Sequence, residues 1–171
     1  SLDGIDMSVN RFFYSKKKWR FKILKCKTVK YSKKWVSRLI QASFLTDSDL
    51  VILNKDYTEY LSKVILKFIQ KFDDNIDFIS SHGHTVFHQP ENGFTYQIGN
   101  NRNLSDLISN TVVCDFRTQD VSLGGQGAPL IPVGDYHLFS DYAATLNLGG
   151  FANITKLLNP VIAYDICPVN T

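Results

Sequence analysis

The chain has 171 residues, 44% of them hydrophobic and 20% charged, a balance that allows a real core and excludes a disordered polypeptide. Its formal net charge of +3 is uneven, because residues 11–38 carry twelve of the nineteen Lys and Arg and no acid, a bias that raises a polyanion partner. No apolar run approaches the roughly 20 residues that span a bilayer, and Cys26, Cys114 and Cys167, odd in number and without a Cys-x-x-Cys pair, argue against a disulfide framework and for a reducing compartment, most simply as three small core residues.

In chain order, Ser1 to Asn10 reads as a Gly-containing turn leading into a short apolar strand, and Lys17 to Val29 as further strand, together a hairpin or meander. In Lys18-Trp19-Arg20-Phe21-Lys22-Ile23 basic and apolar residues alternate, as on a strand with one buried and one solvated face, so the charge run reads as a wet surface first and a polyanion site second. Lys33 to Ala42 is helical in pattern, Thr46-Asp47-Ser48-Asp49 resembles a capped helix start, and Tyr57 to Phe72 has apolar residues at helical spacing. Ile76 to Ser80 is an apolar strand ending in Ser81-His82-Gly83-His84; Thr95 to Ile98 is a short strand, Asn103 to Ser109 a short helix and Thr111 to Cys114 a buried strand. This alternation predicts α/β architecture. Ala144 to Leu148, Ala152 to Leu158 and Val161 to Asp165 predict consecutive strands with a Gly-Gly turn between the first two, the start of a second domain. The chain opens on Ser1 rather than Met, both ends look cut, and an upstream signal peptide stays open.

Three polar glycine-bearing turns could expose backbone N–H groups to an anion: the one at Ser1 to Asp6, Gly124-Gly125-Gln126-Gly127, and Asn147 to Asn153. None matches the Rossmann or Walker A pattern. Asp115, Arg117 and Asp120 stand just before the second turn, where a carboxylate can take a proton from an attacking hydroxyl or water while a cation balances phosphate charge; Asp120 is nearer the glycines, and an Asp–Arg pair closing a loop is the competing reading for Asp115 and Arg117. His82, His84 and His88 form a His-x-His-x-x-x-His pattern. With no acid or Cys placed to complete a metal set, hydrogen bonding to a sugar or to the loop is the more economical role.

At these residues the sequence resembles the anhydro-N-acetylmuramic acid kinase family of the actin, Hsp70 and sugar-kinase superfamily. The resemblance rests on six ordered pieces: Ser1-Leu2-Asp3-Gly4-Ile5-Asp6, Ser81-His82-Gly83-His84-Thr85-Val86, Gln97-Ile98-Gly99, Asp115-Phe116-Arg117, Asp120 through Gly124-Gly125-Gln126-Gly127-Ala128-Pro129-Leu130, and Leu146 through Thr155. It implies an actin-like ATPase (ribonuclease H-like) lobe with a mixed sheet flanked by helices over residues 1–135, followed at 136–171 by the first strands of a second such lobe. Members add water across the 1,6-anhydro bond of anhydro-N-acetylmuramic acid and phosphorylate O6 from ATP, giving N-acetylmuramic acid 6-phosphate in cell-wall recycling in the cytoplasm.

Carried onto this chain, the resemblance makes Asp120 the base, with Asp115 beside it. It places Ser1, Leu2, Asp3, Gly4, Ile5 and Asp6 at one phosphate turn, with Asp3 and Asp6 toward Mg²⁺, and Asn147, Gly149, Gly150 and Asn153 at the other. His82, His84, Gln97, Arg117, Gln126 and Gly127 become sugar contacts. It implies no nucleic acid and no membrane, leaves a homodimer open, and makes the 171-residue piece inactive alone. Three departures stand out: the Gly-Thr expected before Ser1 is absent, His84 replaces a common Gln and adds a pH-sensitive group, and Asp165-Ile166-Cys167-Pro168-Val169-Asn170 lacks the two glycines many members have there. That last segment motivates an alternative, a non-catalytic sugar- or nucleotide-binding relative; a nucleic-acid module on the Lys-rich segment is a third reading.

Overall fold

The structure, a computed structural model, describes residues 2–169. By internal contacts they fall into two compact units, one built on Lys27–Gly127 with the start of the first strand, the other on Ser8–Cys26 with the chain from Ala128 onward.

Strands β1 (Gly4–Ser15) and β2 (Lys18–Lys30) pair as a hairpin. Lys16 and Lys17 at its tip have φ of 51° and 62°, the left-handed values that a two-residue type I′ connection requires. The expected half-buried face does not form. Trp19, Phe21 and Ile23 are all exposed, because two strands alone have no second layer; the rings instead cover one another across the ribbon, Tyr14 on Trp19 at 5.0 Å and Phe12 on Phe21 at 6.4 Å.

Helix α1 (Lys33–Gln41) starts where the Ser32 hydroxyl accepts from the Trp35 N–H at 3.3 Å, and a 3₁₀ turn at Ala42–Phe44 follows. Helix α2 runs unbroken over Asp47–Ile69, joining what the sequence suggested as a capped start and a separate helix. Its buried face, Leu50, Leu53, Tyr57, Leu61, Ile65 and Phe68, keeps steps of three and four residues throughout, and each such side chain contributes roughly 1.5–3 kcal/mol by leaving water. Around it gather Ile5, Leu39, Ile98, Leu104 and Ile108 to complete the core.

Against this core stand two small sheets. β3 (Ile79–Ser81) pairs parallel with β6 (Val112–Cys114), Ser81 opposite Cys114. β4 (His84–Gln89) pairs antiparallel with β5 (Phe94–Ile98), with a register shift between Thr85 and Phe87. α3 (Leu104–Ile108) connects β5 to β6. β4, α4 (Phe116–Ser122) and α5 (Pro132–Leu138) occupy stretches for which the sequence suggested no element.

In the second unit β7 (Ala144–Leu148), β8 (Phe151–Lys156) and β9 (Ile162–Pro168) form an antiparallel meander, with Gly149 and Gly150 as the expected turn. Thr145 and Asn147 share its polar face with Asn153 and Thr155, their cross-strand neighbours, and the buried Asp135 of α5 accepts from the Thr155 hydroxyl at 2.6 Å. Cys26 and Cys167 are exposed free thiols and only Cys114 is partly covered. The expectation of three core cysteines is therefore corrected for Cys26 and Cys167, which lie exposed on β2 and β9. Among the described residues no helix is long and apolar enough to cross a membrane.

Candidate active site

Because β3 and β6 are parallel and end level with one another, the chain leaves both at one edge, where open α/β sheets hold ligands. His82 follows β3 there and Asp115 follows β6. Asp115 adopts φ 64° and starts α4 without a side-chain cap, turning a strand directly into a helix. α4 ends after Ser122, Gly124 takes φ 88°, and the chain doubles back over the helix.

That return wraps the Asp120 carboxylate. The Gly125 N–H donates to the Asp120 carbonyl at 2.8 Å and the Gly127 N–H to Asp120 Oδ2 at 2.7 Å. A Cβ on Gly125 would run into the Asp120 carboxylate itself, so glycine here is what lets main chain and carboxylate approach. Oδ1 accepts no hydrogen bond from the described residues and keeps its lone pairs for a water or hydroxyl proton, the arrangement a general base needs.

Arg117, one turn earlier, braces the same loop: Nε donates to His82 Nε2 at 2.8 Å and a terminal nitrogen donates to the Gly127 carbonyl at 3.1 Å. The accepting Nε2 makes His82 a neutral imidazole with its proton on Nδ1, 3.1 Å from the Gly83 carbonyl. Burial first, and the Arg117 charge with it, hold the His82 pKa below its usual value. His84 is driven down to about 4, mainly by burial, and its ring lies tilted toward Tyr57 with centroids 6.2 Å apart. Gly83, at φ 73°, lies so close to β5 that a Cβ would stand 2.5 Å from the Ile98 carbonyl.

Gln97 on β5 is buried; its Nε2 donates to the Thr95 hydroxyl at 2.8 Å, while Oε1 has no partner. His88 lies opposite Thr95 and meets that hydroxyl through Nδ1 at 3.2 Å. The three histidines are thus divided among separate partners, and among the described residues no group of three His, Cys, Asp or Glu could hold a metal. Thr95 is the residue that sequence reasoning missed. Its only trace there is its place two residues before Gln97, on the same face of a predicted strand.

Of the first turn, Ser1 lies outside the described residues. Leu2, Asp3 and Asp6 are exposed, whereas Ile5 belongs to the core and could meet a ligand only through its backbone. Gly4 passes against the Val29 carbonyl, where a Cβ would collide, and Asp6 accepts from Thr28 at 2.5 Å. Gln126 is exposed at the tip of the Asp120 loop. In the second unit Asn147 and Asn153 face each other across β7 and β8, the Gly149 N–H donates to the Phe151 carbonyl at 3.3 Å, and Asn153 Oδ1 is buried without a partner.

A family model described as anhydro-N-acetylmuramic acid kinase matches residues 1–171. The chain belongs to this family. Among relatives named anhydro-N-acetylmuramic acid kinase, that of Pseudomonas syringae pv. tomato is 42% identical over 113 residues, 63% of this chain and 31% of the relative. That of Photobacterium profundum is 47% identical over 104 residues, covering 57% of this chain and 28% of its own length, and that of Zymomonas mobilis 46% over 101 residues, 56% and 28%. The chain spans less than a third of the length of these curated relatives. Its mixed α/β fold is that expected for an amino-terminal actin-like lobe of the anhydro-N-acetylmuramic acid kinase family.

Proposed function

We propose that the protein is an ATP-dependent kinase that opens the 1,6-anhydro bond of anhydro-N-acetylmuramic acid with water and transfers the γ-phosphoryl group to O6. The observation that carries this reading is the Asp120 carboxylate, with one oxygen tied to the Gly127 N–H and the other left open beside a glycine return. In this reading Asp120 Oδ1 takes a proton from the water that attacks the anomeric carbon; the bond from that carbon to O6 breaks, and O6 becomes the acceptor of the phosphoryl group. Asp115, at the start of the same helix, is assigned to the catalytic pair with Asp120. His82, His84, Gln97, Arg117, Gln126 and Gly127 line the sugar side, with Arg117 first of all holding the loop in shape.

The first phosphate turn, Ser1 to Asp6, and the second, Asn147, Gly149, Gly150 and Asn153, are assigned to ATP. Mg²⁺ is held by few protein ligands, keeping waters and substrate phosphates for the rest; the exposed carboxylates of Asp3 and Asp6 suit that, and the ion would neutralise phosphate charge. Residues 1–135 form the first lobe and 136–171 the start of the second. The reading places the enzyme in the cytoplasm, in cell-wall recycling, with no nucleic-acid or membrane partner, and leaves a homodimer open.

In the full-length protein, ADP release is expected only when anhydro-N-acetylmuramic acid is present. Asp120→Asn is expected to lower turnover by about a thousandfold or more while sugar binding, measured by calorimetry, persists. Unchanged turnover in that variant would remove Asp120 as the base. The second reading, a non-catalytic relative, draws on the Asp165 to Asn170 segment, of which Asp165, Cys167 and Pro168 pair with β8 across a register shift that leaves Ile166 without a partner on that strand; sugar binding without any ADP release selects it.

A further inference from the structure

Behind the Asp120 loop lies a polar network centred on Thr95, a residue to which the proposed chemistry gives no role. The register shift between Thr85 and Phe87 on β4 brings His88 directly opposite Thr95; without it, continuing the pairing from Thr85 and Gln97 would set Phe87 there. The Thr95 hydroxyl donates to the Phe87 carbonyl at 3.2 Å and accepts from Gln97 Nε2 at 2.8 Å. That leaves it one acceptor site, met by His88 Nδ1 at 3.2 Å, so His88 Nδ1 carries the proton. One buried hydroxyl is saturated by three partners.

His88 in turn lies under the loop. A Cβ on Gly127 would stand 3.2 Å from His88 Cε1 and 2.9 Å from Val121 Cγ2, so the imidazole is part of the floor on which Gly127 rests while its N–H holds Asp120 Oδ2.

We infer that Thr95 is a positioning residue: by fixing His88 and Gln97 together, it sets the height of Gly127 and thereby the aim of the Asp120 carboxylate. The inference rests on the reading of Asp120 as the base. Gln97 Oε1 already lacks a partner, so losing the Thr95 hydroxyl strands both ends of the Gln97 amide and frees the His88 ring. A buried polar group deprived of its partner moves or admits water.

The test uses the full-length protein with ATP and anhydro-N-acetylmuramic acid. Thr95→Val keeps the shape and removes the hydroxyl; kcat is expected to fall about tenfold to a hundredfold, the scale on which a remote misplacement costs catalysis, with KM for ATP within about twofold of wild type. Thr95→Ser restores the hydroxyl and is expected to recover kcat to within about threefold. Wild-type kcat in Thr95→Val, or a Thr95→Ser variant as slow as Thr95→Val, overturns the inference. A wild-type protein that binds the sugar but releases no ADP instead overturns the reading of the base, and the two failures are distinct.

Discussion

At the scale of single residues, His82 and His84, two residues apart, are both held neutral chiefly by burial. His82 in addition accepts from a guanidinium, whereas His84, with its pKa near 4, has burial as its main cause. The consequence for stability follows from linkage. Unfolded His84 has a pKa of about 6.5, so between about pH 6.5 and 4 the unfolded chain binds a proton that the folded chain refuses. The stability His84 contributes is complete above pH 6.5 and is lost as the pH falls toward 4. His84→Gln, which keeps hydrogen-bonding capacity but cannot titrate, is expected to flatten the fall of unfolding free energy between pH 6.5 and 4.5 in urea titrations. An unchanged slope would mean that the imidazole is solvated. The sequence marked His84 as a pH-sensitive position, but the direction of its shift depends on burial against β5 and Tyr57.

At the scale of elements, α2 was legible at both ends and misread in the middle. Thr46 was visible as a cap, and in the structure its hydroxyl accepts from the Asp49 N–H at 3.3 Å and lies 2.7 Å from the Asp49 carboxylate. Thr46→Ala is expected to lower the unfolding free energy by about 1 kcal/mol, read as a shift of the denaturant midpoint with unchanged slope. The apparent gap arose because Val51 and Ile52, apolar but exposed, blur the amphipathic pattern, although Leu50, Leu53 and Tyr57 carry the buried face straight through. α4 is the opposite case. Its seven residues offer only Phe116 and Val121 as apolar contacts, and only Val121 is buried; it is held by Asp115 turning at positive φ and by the glycine return, neither of which is a periodic signal.

For the whole molecule, three free cysteines give a test that needs no substrate. Cys26 and Cys167 are exposed, while the Cys114 thiol is pushed up by burial and by the neighbouring Asp115 charge. A thiol reagent at neutral pH is expected to label two sites quickly and the third slowly, with all three reacting at one rate after denaturation. Three equally fast sites in the native protein would contradict the cover over the end of β6.

Sequence alone determined the family, through six ordered motifs, and with it the α/β class, because glycines and carboxylates in fixed order are chemistry that the fold cannot rearrange. It also located the Gly149–Gly150 turn, since flanking alternation marks a hairpin. Tertiary structure decided what those residues touch. The parallel pairing of β3 and β6 brings the chain just past His82 to the same edge as the chain just past Asp115, although 33 positions separate those residues. A one-residue irregularity in β4 pairs His88 with Thr95. Register and sheet order are set by how apolar faces find one another across long stretches of chain, and no local pattern encodes them.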